Sequence, residues 1–135
     1  ATAIQRLKRV TRKAERHNIC LGIESWLSAE AHLSMIKAVE STHLKVYYDV
    51  ANAAHMGYNV LDEIRFLGNE SICEIHFKTN GVLLENGNMD FPAVIAALDE
   101  ISYTGWVIIE DSIPKGMDIM DACKKNAGYI RSLLS

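Results

Sequence analysis

The sequence predicts an α/β fold, in which a leading helix is followed by four βα units whose strands lie parallel in one sheet. Short apolar or β-branched segments alternate with longer segments of helical periodicity, which is the pattern of a parallel sheet covered by helices. A complete (β/α)8 barrel takes about 250 residues, or about 31 per βα unit. The 135 residues therefore suit a single domain, residues 1–135, that forms a four-stranded half of a TIM (β/α)8 barrel.

The chain begins with a basic helix, a short strand and a capped helix. Residues 2–17 keep apolar side chains at helical spacing, with Arg and Lys on the other faces. The apolar run ICLGIE at 19–24 ends in an acid and predicts the first strand. Ser28 suits an N-cap, and the helix that it begins is expected to end near Glu40.

The middle of the chain predicts two strands with a helix between them. The segment LKVYYDV at 44–50 is β-branched and aromatic, which favours a strand, and a loop over 51–58 leads to a helix over 60–67. The segment SICEIHFK at 71–78 alternates with period two. Its apolar face carries Cys73, Ile75 and Phe77, and its ionisable face carries Glu74, His76 and Lys78.

The last two units follow a long turn over 79–89. Asp90 suits a helix cap, and Pro92 lies in the first turn of that helix, where its missing N–H costs little. The segment WVIIE at 106–110 predicts the fourth strand, and residues 117–134 predict the last helix.

Composition and charge exclude several classes of protein. The net charge is only −3, and the 14 Lys and Arg residues are scattered beyond the first helix, so we expect no nucleic-acid partner. No apolar run approaches the roughly 18 residues of a membrane span, and no signal peptide is evident at the N-terminus. Three widely spaced cysteines are typical of buried, reduced thiols, which predicts a cytoplasmic location.

Four ionisable residues lie at or next to the C-terminal ends of the four strands: Glu24, Asp49, His76 and Glu110. They are 25, 27 and 34 residues apart, one βα unit each. The preceding residue on each strand is apolar or aromatic, as expected if it faces the helices: Ile23, Tyr48, Ile75 and Ile109. Because chemistry in a (β/α)8 barrel lies at the C-terminal strand ends, this register predicts that the four side chains converge on one mouth.

Three carboxylates and one imidazole are a ligand set for a divalent metal ion such as Mn, Mg, Co or Zn. Without a cation, three carboxylates at one site would repel one another, and some would take up protons. Each acid by itself also suits a solvated strand end or a helix cap. The shared register on four strands favours the metal site.

The chain resembles the C-terminal half of the xylose isomerase-like TIM barrel family, the sugar phosphate isomerase/epimerase group. The matching segments are LGIE at 21–24, YYDVAN at 47–52, EIHFK at 74–78, NGNMDF at 86–91 and YTGWVIIE at 103–110. The resemblance implies that Glu24, Asp49, His76 and Glu110 are metal ligands. It also implies that Glu24 and Glu110 form the catalytic acid/base pair on opposite faces of the substrate.

Four further residues are candidates for substrate binding. Glu30 matches a position that touches substrate in the ketose epimerases, although a first-turn helix acid is the alternative. Asn52 takes a place that is often His in the family, and His55 nearby is either its substitute or a plain loop residue. Lys78 either approaches a substrate oxygen or phosphate, or pairs with Glu74 or another acid. Two departures from the family pattern, Thr79 in place of Asp and Glu85 in place of Gly, bear on the substrate more than on the metal.

These features predict a metal-dependent sugar or sugar-phosphate isomerase/epimerase that transfers a proton through an enediolate. A dehydratase or a hydroxypyruvate-type isomerase would use similar ligands. An endonuclease IV-like phosphodiesterase would need more His and Asp ligands and a basic groove. From another class, the alternative is a non-catalytic half-barrel, a fragment or assembly module that keeps the metal-site residues.

Four parallel strands alone leave two bare edges and an uncovered inner face. We therefore expect the sheet to be closed either by a missing N-terminal half or by self-association into a homo-oligomer. The start of the chain without a methionine, inside what resembles the fourth helix of the family, favours a fragment or processed chain.

Overall fold

The computed structural model describes residues 2–110 and 112–134. Four strands occur in this part of the chain: β1 (Leu21–Ile23), β2 (Leu44–Asp49), β3 (Ile72–Lys78) and β4 (Trp106–Glu110). Six α-helices alternate with them: α1 (Ala3–Arg16), α2 (Ala29–Val39), α3 (Val50–His55), α4 (Val60–Ser71), α5 (Phe91–Glu100) and α6 (Ile119–Leu133). One turn of 3₁₀ helix, Leu84–Asn86, lies in the long connection before α5.

The strands form one parallel sheet in the order β1-β2-β3-β4, as predicted. Asp49 pairs with His76 across β2 and β3, whereas Glu110 pairs with Lys78 across β3 and β4. The stagger of β4 therefore sets Glu110 directly beside Lys78, with His76 one step further down the sheet.

The hydrophobic core lies between the helices and one face of the sheet. Val46, Ile75 and Phe77 project from the strands and meet Ile64 of α4 and Phe91 of α5, all of them fully buried. Strand side chains alternate between faces, so burying these residues directs their neighbours to the opposite face. The packing of the helices thereby determines which side chains line the inner face.

Helix α3 occupies a stretch that the sequence predicts as a loop. Residues 51–58 are rich in small residues, but Asp49 caps the helix because its Oδ1 accepts the N–H groups of Ala51 and Asn52 at 2.8 and 2.9 Å. The prediction was therefore wrong over residues 51–55. The cap is also one of the four residues at the strand ends, so helix α3 and that carboxylate are held together.

A register irregularity between β2 and β3 moves Cys73 off the apolar face on which the sequence places it. The pairing passes from Val46–Ile72 directly to Tyr47–Glu74, which leaves Cys73 unpaired. Its Sγ lies 2.9 Å from where a Cβ on Gly22 would stand, so a side chain at position 22 would clash with the thiol. Cys20 and Cys123 are exposed rather than buried, and all three thiols are free.

The other face of the sheet has no helix over it in the described residues. Trp106 is 74% exposed there, and Ile108 is also exposed. Strands β1 and β4 each have one unpaired edge. Among the described helices, none is both long and apolar enough to span a membrane.

Candidate metal centre

The structure brings Glu24, Asp49, His76 and Glu110 together at the C-terminal end of the sheet. One ligand atom from each of the four lies within 4.8 Å of the others. His76 Nδ1 is at the centre, 3.5 Å from Glu24 Oε1, 3.7 Å from Asp49 Oδ2 and 3.4 Å from Glu110 Oε2. Each residue comes from a different strand or from the residue directly after it.

Two of the four side chains, Asp49 and His76, are buried and form the floor of the site, and the two glutamates are partly exposed and form its walls. The Asp49 side chain is 0% exposed and that of His76 is 9% exposed, whereas the side chains of Glu24 and Glu110 are each 40% exposed. The two glutamates can therefore reach a molecule bound in the mouth, and Asp49 and His76 lie beneath it.

Neighbouring residues hold the floor in place. The Oδ1 atom of Asp49 is occupied by the cap of α3, which leaves Oδ2 directed at the cluster. The His76 ring lies against Tyr47, with ring centroids 4.2 Å apart at 44°. Both side chains are thus restricted in their rotamers before anything binds.

The donor atoms fit a divalent cation. His76 Nδ1 is buried and makes no hydrogen bond within the described part of the chain, and the buried Oε2 atom of Glu110 beside it contacts the Lys78 ammonium at 3.0 Å. Buried polar atoms are normally satisfied, so the unsatisfied imidazole nitrogen indicates a missing partner at the cluster. Metal–ligand bonds run about 2.0–2.6 Å, so any two ligand atoms of one ion lie no more than about 4–5 Å apart. The spacing within the cluster agrees with that, and three carboxylates with one imidazole suit Mn, Mg, Co or Zn.

Lys78 neutralises part of the negative charge of the cluster. Its Nζ lies 3.0 Å from Glu110 Oε2 and 3.4 Å from Asp49 Oδ2. The Lys78 ammonium holds the pKa of Glu110 below its usual value, against the opposing effect of burial. Burial lowers the pKa of Lys78, but the two carboxylates outweigh it and raise that pKa above its ordinary value. Lys78 is therefore a cation and Glu110 an anion at neutral pH.

The other predicted substrate-binding residues lie at different distances from the cluster. Asn52 is in the first turn of α3, and its N–H donates to Asp49. His55 ends the same helix and is exposed. Glu30 is in the first turn of α2 and lines a cavity of about 370 Å³ between α2 and α4, apart from the four clustered side chains. Lys78 forms ion pairs with Asp49 and Glu110. This is the second of the two arrangements predicted for Lys78, pairing with an acid of the mouth.

A buried network that the sequence did not reveal positions the ends of β3 and β4. Ser112 Oγ donates to the backbone carbonyl of Glu110 at 3.0 Å and accepts the N–H of Thr79 at 3.2 Å. Asn126 of α6 donates to the Ser112 carbonyl at 2.8 Å and accepts the N–H of Leu84 at 2.9 Å. An asparagine within an amphipathic helix was the available signal, since a buried polar side chain at such a position needs partners.

The sequence model of the xylose isomerase-like TIM barrel family matches residues 1–133. The chain belongs to that family. No curated protein sequence matches it significantly.

Solved structures of this xylose isomerase-like fold superpose closely on the chain. An L-ribulose 3-epimerase has a TM-score of 0.85 at 20% identity, over 97% of this chain and 52% of its own. The D-psicose 3-epimerase of Clostridium cellulolyticum H10, solved with D-tagatose, has a TM-score of 0.81 at 18% identity, over 98% of this chain and 55% of its own. The IOLI protein, solved with a bound zinc atom, has a TM-score of 0.79 at 16% identity, over 98% and 55%.

The chain spans about half the length of these xylose isomerase-like structures. Together with four parallel strands and their alternating helices, this identifies the fold as half of a TIM barrel. The predicted family and fold class are therefore confirmed.

Proposed function

We propose that this chain carries the metal ligands and the acid/base pair of a sugar or sugar-phosphate isomerase/epimerase, which transfers a proton through an enediolate. The observation that carries the proposal is the difference in exposure between the two glutamates of the cluster and its aspartate and histidine. Two half-exposed glutamates stand over a buried aspartate and histidine, all within 4.8 Å. The names of solved structures with this fold, 3-epimerases of L-ribulose and D-psicose, agree with this chemistry.

Glu24 and Glu110 are the proposed proton carriers. A carbon next to a carbonyl loses its proton to a carboxylate within hydrogen-bond reach, and a second carboxylate returns the proton. Return to the same face gives an isomer, and return to the opposite face gives an epimer. Glu110 is ionised at neutral pH, as a general base must be, because Lys78 holds the pKa of its carboxyl below its usual value.

Asp49, His76 and Glu24 would hold the divalent cation together with Glu110. A bound cation stabilises negative charge on the substrate's oxygens as it develops. Asp49 and His76 are too buried to touch a substrate themselves, so their contribution is to hold the cation in position. Lys78, restrained by two carboxylates, adds a fixed positive charge at the wall formed by Glu110.

Hydrogen exchange into a ketose tests the proposal directly. The protein is incubated in D₂O with Mn²⁺ and D-fructose or D-tagatose, and deuterium at the carbon next to the carbonyl is followed by NMR. We expect exchange, lowered by about 100-fold or more in Glu24→Gln and Glu110→Gln, which is the usual contribution of a general acid or base. Glu74→Gln is the matched control, because Glu74 lies on the inner face of β3 below the cluster.

A non-catalytic half-barrel is the second candidate, favoured by the exposed inner face around Trp106. Titration with Mn²⁺ by calorimetry separates it from the first. Metal binding together with deuterium exchange supports the enzyme, and metal binding without exchange into any ketose or ketose phosphate supports the assembly module.

A further inference from the structure

Two thiols come together on the sheet, on the side of the candidate metal centre toward the N-terminal ends of the strands. Cys73 belongs to β3, and Cys20 immediately precedes β1. Burial raises the pKa of Cys73 to about 11, and the Cys20 thiol contributes to this through its charge and through a side-chain hydrogen bond. Hydrogen bonds form only at short range, so the two thiols are neighbours.

The backbone explains how residues of β1 and β3 meet across β2. Cα atoms of β1 and β3 approach within 8 Å of each other, although β2 lies between these strands in the sheet. A Cβ at Gly22 would stand 2.9 Å from Cys73 Sγ and 3.1 Å from Tyr47 Cβ. The Cys73 thiol therefore reaches over β2 to the space beside Gly22. Cys20 lies two residues before Gly22, which places both on one side of an extended chain.

The two thiols differ in their access to solvent. Cys20 is exposed, and it precedes Leu21, the first paired residue of β1, so its side chain can rotate toward β3. Cys73 is partly buried, and its Sγ donates to the Val46 carbonyl at 3.3 Å. With a pKa of about 11, Cys73 is protonated at neutral pH. A reagent in solution therefore meets Cys20 first, and Cys73 is positioned as the second thiol.

The geometry points to a dithiol site, at which a small disulfide such as glutathione disulfide oxidises Cys20 and Cys73 to an intramolecular disulfide. The Cys20 thiolate attacks one sulfur of the oxidant, which forms a mixed disulfide and releases one glutathione thiolate. Cys73 then gives up its proton to solvent and attacks Cys20 Sγ, which forms the protein disulfide and expels the second glutathione. Two protein thiols lose two electrons, and the oxidant gains them and the two protons as two glutathiones.

This bond would tie β1, which has an unpaired edge, to β3. It joins residues that are 53 positions apart in the chain, and a cross-link of that span restricts the unfolded chain. We expect the oxidised protein to unfold at a higher urea midpoint than the reduced protein, and dithiothreitol to abolish the difference. None of the four metal-site residues takes part, so the test needs neither a metal nor a sugar.

Mass spectrometry identifies the bond. The folded protein is treated with glutathione disulfide, the remaining thiols are blocked with N-ethylmaleimide, and a non-reducing digest is analysed. We expect the peptides of Cys20 and Cys73 to be joined in the wild type and in Cys123→Ser, the matched control, since Cys123 is an exposed cysteine on α6. In Cys73→Ser, which keeps a hydroxyl donor for the Val46 carbonyl, we expect Cys20 to retain glutathione instead.

Two results would overturn the dithiol site. One is a Cys20–glutathione adduct that persists in the wild type as it does in Cys73→Ser, because Cys73 would then not reach Cys20. The other is a folded protein whose three cysteines pair in the same proportions as in the urea-unfolded chain, with no excess of the Cys20–Cys73 bond. Far-UV circular dichroism checks folding. If Cys73→Ser does not fold, Cys20→Ser takes its place, since Cys20 is exposed, and it should lose the cross-link.

Discussion

His76 Nδ1 lies 3.4 Å from Glu110 Oε2, and this buried nitrogen makes no hydrogen bond within the described residues. A buried nitrogen in this position leaves its hydrogen-bonding capacity unused, which is costly away from water. A cation bound between the two atoms would give the nitrogen a partner and would be attracted by the carboxylate. The relationship spans two neighbouring strands, β3 and β4.

Removal of the imidazole should abolish tight metal binding. We expect His76→Ala to weaken Mn²⁺ binding by more than about 100-fold, since even residues that only orient metal ligands contribute about 10- to 100-fold. Calorimetric titration measures the affinity. His43→Ala, at the other end of the sheet just before β2, is the matched control and should bind as the wild type does. Equal affinities of the two variants would remove His76 from the ligand set.

Lys78 should stabilise the metal-free protein more than the metal-bound one. In Lys78→Met, Asp49 is left buried without its ammonium partner, and breaking such a pair costs about 3–5 kcal/mol when both groups are buried. Lys78 is 16% exposed, so we expect a smaller loss, about 2 kcal/mol, in urea unfolding without metal. Saturating Mn²⁺ should reduce the difference, because the cation replaces the lost charge. A loss of stability that is the same with and without Mn²⁺ would contradict this.

Buried His32 should make stability depend on pH. Burial lowers the pKa of His32 below its usual 6.5, against a smaller opposing effect from the Ser28 backbone. The unfolded chain therefore binds a proton near pH 6.5 that the folded chain does not, so stability falls as the pH drops below about 6.5. The slope is at most about 1.4 kcal/mol per pH unit until the folded pKa is reached.

The test for His32 compares thermal unfolding at pH 8 and pH 5 in the wild type and in His32→Gln. We expect the variant to be less stable at pH 8 but to lose less on acidification. His17→Gln, at the exposed end of α1, should keep the wild-type dependence. Parallel curves for the wild type and His32→Gln would show that His32 is not the group responsible.

Ser112 should contribute to the position of Glu110 as well as to stability. In Ser112→Ala, the partly buried Thr79 N–H loses its acceptor, and the cost is at the lower end of the about 1–3 kcal/mol of an unsatisfied buried donor. We expect this loss in urea unfolding, together with weaker Mn²⁺ binding. Ser34→Ala, on the exposed surface of α2, should change neither quantity. Unchanged Mn²⁺ affinity in Ser112→Ala would limit the network to a structural role.

The exposed inner face should cause self-association when the chain is expressed by itself. Trp106 and Ile108 present apolar surface, and β1 and β4 present unpaired edges. Sedimentation velocity should show a dimer or larger species, and Trp106→Glu should shift it toward monomer. A well-folded wild-type monomer would show that this face is stable in water and that neither closure is required.

Local patterns were enough to predict the units of the fold. Period-two alternation over 71–78 indicates which residues of β3 face the helices, and Ile75 and Phe77 are indeed fully buried. The cap at Ser28 was also readable, because a serine before a helical segment satisfies free N–H groups whatever surrounds it. The residues of helix α3 failed this kind of prediction, since its cap is an aspartate that also reads as the end of a strand.

The sequence by itself determined which four side chains stand at the strand ends and on which face, because side-chain direction along a strand alternates with a fixed period. Only the tertiary structure decided which other side chains contact these strand ends and the helices near them. The stagger of β4 sets Lys78 beside Glu110, and the packing of α3 brings His55 to Trp26. Stagger and packing depend on contacts between residues far apart in the chain, and no local period encodes those contacts.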